Sequence, residues 1–342
     1  MEMHGSPVLE TEKPDPAQKY ATGPRWYTLY GRSVSSDILL PVPPSTPDNE
    51  APTWVFRYRG TVNDAPEPDG HMVAHVRCPE HGTTIAIRYR GPQSNWIRNP
   101  GIGLFHISRD GGHVDIYADD RADESLLALT LIGEISTFLL QMRGIPTLHA
   151  SAVVSNGKGI GFIGQPGQGK STIAACFMRR GAALLSDDNL PLRIVDGTVV
   201  GGPSLPIMKV LDDTAEFGFG AENDLPCIAS TIRKKLLVVH DHYGFESTPI
   251  PLNAVYILRR YDPLLSKRDD VAITQLSGRE SLAVLLAQSA FGSLFEPAEV
   301  ARFLPIYQKL VQKACVQGLY YPDGFEYPDR VYQHIREDVK DR

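Results

Sequence analysis

Residues 164 to 172 read Gly-Gln-Pro-Gly-Gln-Gly-Lys-Ser-Thr, between the apolar run Ile160-Gly161-Phe162-Ile163 and a helical stretch ending near Arg180. That order of residue types suits the holding of a phosphate chain. Glycine lets the backbone fold tightly enough for several N–H groups to converge on one anion, and the first turn of the following helix adds its own unpaired donors. Gly164, Gln165, Pro166, Gly167, Gln168, Gly169, Lys170, Ser171 and Thr172 are therefore candidate nucleotide-binding residues, with Lys170 on the terminal phosphates and Ser171 on a magnesium ion.

Two carboxylates follow. The short run Leu184-Leu185-Ser186 ends in Asp187 and Asp188, and a strand that returns after the loop's helix brings its end back beside the phosphates. One aspartate can hold magnesium and the other can take the proton of an attacking hydroxyl. Ser171 and Asp187 are the candidate magnesium ligands, and which aspartate is the base stays open. His149 lies just upstream among Leu148, Ala150 and Val153, where a hydrogen-bonded core histidine is the ordinary reading and one that contacts the reacting phosphate the alternative. His71, His75, Cys78 and His81 are spaced so that a strand splits them between two faces, which argues against a metal site. The basic clusters Arg233-Lys234-Lys235 and Arg259-Arg260 read as solvated flanks of apolar strands, with a charge for the transferred phosphoryl group as the other reading.

These residues need elements to position them. Leu148 to Val154, Asn156-Gly157 and the loop-bearing run predict a tight hairpin, so that the strand feeding the loop has an antiparallel neighbour. The loop's helix should end at Gly181 in a left-handed cap. A second hairpin is expected around Asp196-Gly197, then irregular sequence to Pro226, strands at Leu236 to His240, Leu252 to Leu258 and Val271 to Leu276, a helix capped by Ser277 and Glu280, one helix over Glu299 to Cys315, and a short last helix from Asp329. Upstream, short strands are expected at Trp26 to Tyr30, Trp54 to Tyr58, Met72 to Cys78, Thr84 to Tyr89, Gly103 to Ile107 and Val114 to Ala118, followed by a helix over Asp123 to Arg143. The expected division is a disordered tail over 1–22, a β-rich domain over 23–121, a bridging helix over 122–145 and a catalytic domain over 146–342.

The chain has 342 residues, 42% of them hydrophobic, and a formal net charge of −6. Its Lys and Arg are scattered rather than striped, which argues against a nucleic-acid surface. The start lacks the apolar run of a signal peptide, and the stretch Leu126 to Met142 is interrupted by polar residues and reads as a buried helix rather than a membrane span. The four cysteines, Cys78, Cys176, Cys227 and Cys315, are far apart, as suits a reducing cytoplasm.

Leu148-His149-Ala150, the hairpin, Gly164 to Thr172, Arg180-Gly181 and Ser186-Asp187-Asp188, taken in that order, resemble the catalytic core of the HPr kinase/phosphorylase family, which is related to phosphoenolpyruvate carboxykinases. The resemblance implies an α/β fold in which a β-rich module precedes a P-loop core of mixed sheet and flanking helices. It further implies a serine kinase using ATP and Mg2+, with Asp187 or Asp188 as base and His149 near the reacting phosphate, and it implies a homo-oligomer. The family's Glu-Ile-Arg-Gly signature is replaced here by Leu205-Pro206-Ile207-Met208-Lys209-Val210, which points away from HPr as substrate and from phosphorylase activity. The pattern is more similar to the lasso-peptide precursor kinases, which implies a serine on a peptide or protein as acceptor. The alternatives are a small-molecule kinase or carboxykinase-like enzyme, and a nucleotide-binding regulator without catalysis.

Overall fold

The computed structural model describes residues 23–47, 50–78, 81–220, 225, 227–229, 232–239, 243–261 and 270–340, and the expected tail over 1–22 lies outside them. The protein is mixed α/β. Eight strands form the first sheet: β1 (Arg25–Leu29), β2 (Arg32–Ser36), β3 (Trp54–Thr61), β4 (His71–Arg77), β5 (Thr84–Arg90), β6 (Ser94–Asn99), β7 (Gly103–Ser108) and β8 (His113–Ala118). Their spatial order is β1-β2-β3-β8-β7-β6-β5-β4. Alternate residues along these strands, such as Trp54 and Phe56, Phe105 and Ile107, Val114 and Ile116, are fully buried in one cluster, as the period of a strand requires.

That cluster is closed by α1 (Glu124–Met142), whose Leu127, Leu131, Ile135, Phe138 and Leu139 join it. Asp123 caps the helix by accepting from the Ser125 and Leu126 N–H groups, and the middle, Leu131–Ile135, is a π-helical turn. By length and composition α1 could cross a membrane, yet 67% of its most apolar window is buried inside the protein. Two strands of this sheet escaped the sequence reading, β2 and β6. Arg32–Ser36 and Ser94–Asn99 are mostly polar, and their pairing with neighbours, not their own hydrophobicity, makes them strands.

The second sheet contains β9 (Thr147–Ser155), β10 (Lys158–Ile163), β11 (Ala183–Ser186), β12 (Asn189–Val195), β13 (Thr198–Gly201), β17 (Ile250–Tyr261), β18 (Ala272–Gln275) and β19 (Cys315–Pro322). As expected, β9 and β10 pair antiparallel through the turn at Asn156-Gly157, both at positive φ. On its other side β10 lies parallel to β17, which in turn is parallel to β19. Because β12 pairs with β9 and β13 with β17, the pairings β10-β9-β12-β13-β17-β10 form a closed circuit.

Helices cover both faces. Ala254, Tyr256 and Leu258 of β17 pack toward α2 (Lys170–Met178) and α7 (Pro328–Lys340), whereas Val255 and Ile257 pack toward α4 (Gly278–Ala287) and α6 (Leu304–Lys313). The region read as irregular holds β14 (Ile207–Val210) and α3 (Asp212–Phe219), with β14 in a small sheet beside β16 (Ile232–Val238) and β15 (Cys227–Ala229). The single helix expected over Glu299 to Cys315 is instead α5 (Pro297–Ala301), a break at Arg302-Phe303 and α6, after which the chain enters β19 at Cys315 without any glycine or proline to announce it. The last helix, α7, has 13 residues and is not short.

Candidate active site

The Asn-Gly turn, the β9–β10 pair and the parallel contact with β17 fix where Ile163 ends and the glycine-rich loop begins. The loop is held from the side: the Tyr321 hydroxyl donates to the Gln168 carbonyl at 2.7 Å, and the Gln168 side chain accepts from the Arg260 N–H. Gly169 has φ +82°, and a Cβ there would collide with the Tyr321 hydroxyl, so both backbone and space demand glycine. From Gly169 the chain enters α2. Lys170 Nζ folds back to donate to the carbonyls of Gly164 at 2.9 Å and Gln165 at 3.4 Å. Burial lowers its pKa against the pull of Asp188.

The chain after β11 delivers the carboxylates to the same place. Asp187 is buried; its Oδ1 accepts from Ser151 at 2.7 Å and from Ser171 at 3.1 Å, and its Oδ2 accepts from the Lys209 N–H at 2.9 Å. Asp188 adopts φ +67°, a left-handed conformation that Asp tolerates better than most residues. Its carboxylate pairs with Lys209 Nζ at 2.9 Å. Burial, then the neighbouring Asp188 charge, pushes the Asp187 carboxyl up. Burial also opposes ionisation of Asp188, but Lys209 and then Lys234 overcome it and hold that carboxyl far below the usual range. Asp188 in return raises the Lys209 pKa in spite of burial.

His149 Nδ1 lies 3.1 Å from the Asp188 carbonyl. A carbonyl only accepts, so Nδ1 carries the proton and Nε2 keeps its lone pair. Burial and then Lys170 lower the His149 pKa, so the ring is neutral at pH 7. His149, Lys170, Ser171, Asp188, Lys209 and Lys234 line one cavity of about 440 Å3. Of the loop, Pro166, Gly167, Gly169 and Thr172 also reach this cavity, whereas Gly164, Gln165 and Gln168 line a neighbouring cleft on the Arg259 side.

Lys209 and Ser151 were not singled out for this place by the sequence, and Lys234 and Arg260 only through the second reading of their clusters. Lys234 and Arg260 come from the two clusters read as solvated flanks; the structure turns both onto the cavity wall. Lys209 stood in the segment taken only as a missing signature, where a lone lysine inside Ile207-Met208-Lys209-Val210 was the available signal. The histidines of β4 and its turn do not converge: His75 meets Thr84, and Cys78 meets His81. Among the described residues no group of three or more His, Cys, Asp or Glu side chains could hold a metal ion.

No family model and no curated protein matches the chain. Among solved structures, the HPr(Ser) kinase/phosphatase from Coxiella burnetii is similar at 12% identity, with a TM-score of 0.29, over 57% of this chain and 98% of that one.

Proposed function

We propose that the protein is a kinase that transfers the γ-phosphoryl group of ATP to a hydroxyl of a peptide or protein, with a serine of a lasso-type precursor peptide as the acceptor. One observation carries the reading: a phosphate-type loop with its lysine, the Ser171 hydroxyl and the ionised Asp188 carboxylate line a single cavity, with Asp187 buried directly behind Ser171. Loop N–H groups and the first turn of α2 hold the triphosphate, and Lys170 exchanges its carbonyl partners for phosphate oxygens.

Ser171 Oγ and Asp187 Oδ1 are hard oxygens 3.1 Å apart, a donor set that fits Mg2+, which usually takes one or two protein oxygens and completes its shell with phosphates and water. When bound there, magnesium would neutralise charge on the phosphate oxygens. Asp188 is the base. In the free protein Lys209 and Lys234 make it weakly basic, and it gains basicity when the lysines turn to the phosphates. The neutral His149 ring offers Nε2 to the acceptor hydroxyl or to the phosphate that receives it. In this reading the domain over 146–342 carries the chemistry, and the β-rich half positions the acceptor.

The test is incubation with labelled ATP, Mg2+ and serine-containing precursor peptides, read by mass spectrometry for one added phosphate. Lys170→Ala should lose about a hundredfold or more of the rate while keeping its thermal transition. Undiminished turnover by that variant would overturn the assignment.

A further inference from the structure

The site cavity is not lined by charge alone. Its wall carries Asp188, Lys209, Lys234, Asp213, Arg260 and Asp323, and among them Leu211 and Phe325, which are 50% and 41% exposed. These are two of the seven large hydrophobic side chains left exposed among the described residues, and both border this one cavity. A phosphate chain and a magnesium ion give no reason for apolar surface there; a flat aromatic ligand does.

The two side chains stand where such a ligand would emerge. Thr172 Oγ1 and Thr214 Oγ1 are 2.9 Å apart, which ties α3, and with it the preceding Leu211, to the first turn of α2. Phe325 lies in the segment after β19, beside Asp323, whose N–H donates to the Tyr261 carbonyl at 2.7 Å and whose carboxylate pairs with Arg260 at 3.0 Å. Its ring meets Phe217 of α3 with centroids 5.4 Å apart, and Arg179 covers Phe217 at 4.5 Å. One side of Phe325 is thus braced while much of it remains open. A small hollow lined by Thr172, Ile173, Tyr321 and Phe325 continues from the cavity.

We infer that Phe325 and Leu211 form the nucleobase subsite: the triphosphate runs from the Asp188 end past Lys170 and Thr172, and the base of the nucleotide rests on the Phe325 ring with Leu211 on the other wall. The inference depends on the reading of the loop as a nucleotide site. It also gives the cavity a direction, because in-line transfer puts the acceptor on the side away from the departing nucleoside diphosphate, that is, at the His149 end.

Calorimetric titration of the full chain with ATP and, separately, with inorganic tripolyphosphate, both with Mg2+, tests it. Phe325→Ala should raise the Kd for ATP about tenfold, within the range of base–aromatic stacking, and leave that for tripolyphosphate within about twofold; Phe325→Tyr should restore ATP binding. Leu211→Ser, an exposed position that tolerates a polar side chain, should show the same split to a smaller degree. An unchanged ATP Kd in Phe325→Ala, or an equal loss for both ligands, overturns the subsite while leaving the loop reading in place. Wild-type protein that binds neither ligand overturns the loop reading itself, and the subsite with it.

Discussion

A single hydrogen bond sets the state of His149. Donation from Nδ1 to the Asp188 carbonyl fixes the tautomer, while burial and then Lys170 lower the ring's pKa below the ordinary histidine value of about 6.5 against the pull of Asp188. Under the proposed function, any step in initial phosphotransfer rate that His149→Asn removes should therefore lie below about pH 6.5; such a step centred at or above that value would show that burial does not lower the ring's pKa. At this scale the sequence was informative where residues are close along the chain. Lys170 and Ser171 could be placed by spacing within one loop, and Asp187 by one strand-helix-strand unit. Lys209 and Lys234 could not, because they sit on neighbouring strands of a small sheet of which only part of β16 was announced by local pattern.

Helix α1 carries a half-buried acid in its π-helical turn. Asn99 Nδ2 donates to both Glu134 oxygens at 3.1 and 3.2 Å, yet burial outweighs these bonds and raises the carboxyl from 4.5 to about 7. Between those values the folded chain keeps a proton that the unfolded chain has released, so stability falls as pH rises through that window. Glu134→Gln keeps an acceptor for Asn99 and removes the charge. It should flatten this slope and melt higher than wild type at pH 8, by about 1 kcal/mol once partial solvent access is allowed for; equal melting at pH 8 would argue that the wild-type carboxyl ionises without cost. The same element scale explains the misread helix after Glu299. Pro305 falls at the start of α6, where its missing N–H is harmless, so the proline marks a helix beginning and not a tolerated interior kink.

At the scale of the whole molecule, the first sheet is tied to α5 and the segment before it by a charge cluster centred on one buried arginine. Arg88 of β5, 2% exposed, pairs with Glu299 of α5 at 2.8 Å, donates to the Leu294 carbonyl at 3.0 Å and lies over the rings of Phe138 and Phe295. Arg90 adds contacts to Glu296 and Glu299. Removing Arg88 takes away its bonds to Glu299, Asn95 and the Leu294 carbonyl, while Arg90 still pairs with Glu299. Arg88→Ala should lose about 1.5–3 kcal/mol of unfolding free energy, read as a lower urea midpoint, and an unchanged midpoint would show that β5 and α5 dock without this pair. The turn after β1 makes a second contact, with the Tyr30 N–H donating to the Ser204 carbonyl at 3.0 Å and its hydroxyl to Ile132 at 2.9 Å, next to Asn189. By itself the sequence determined what is local: the loop and its helix, the hairpin before it, the carboxylates after it, and the alternation that makes the first half a sheet. Only the tertiary structure decided that Lys209, Lys234, Arg260 and Phe325 face that loop, and that Arg88 finds Glu299. Those meetings are set by strand order and helix packing between segments far apart in the chain, and neither periodicity nor capping signals encode which distant segment a side chain will meet.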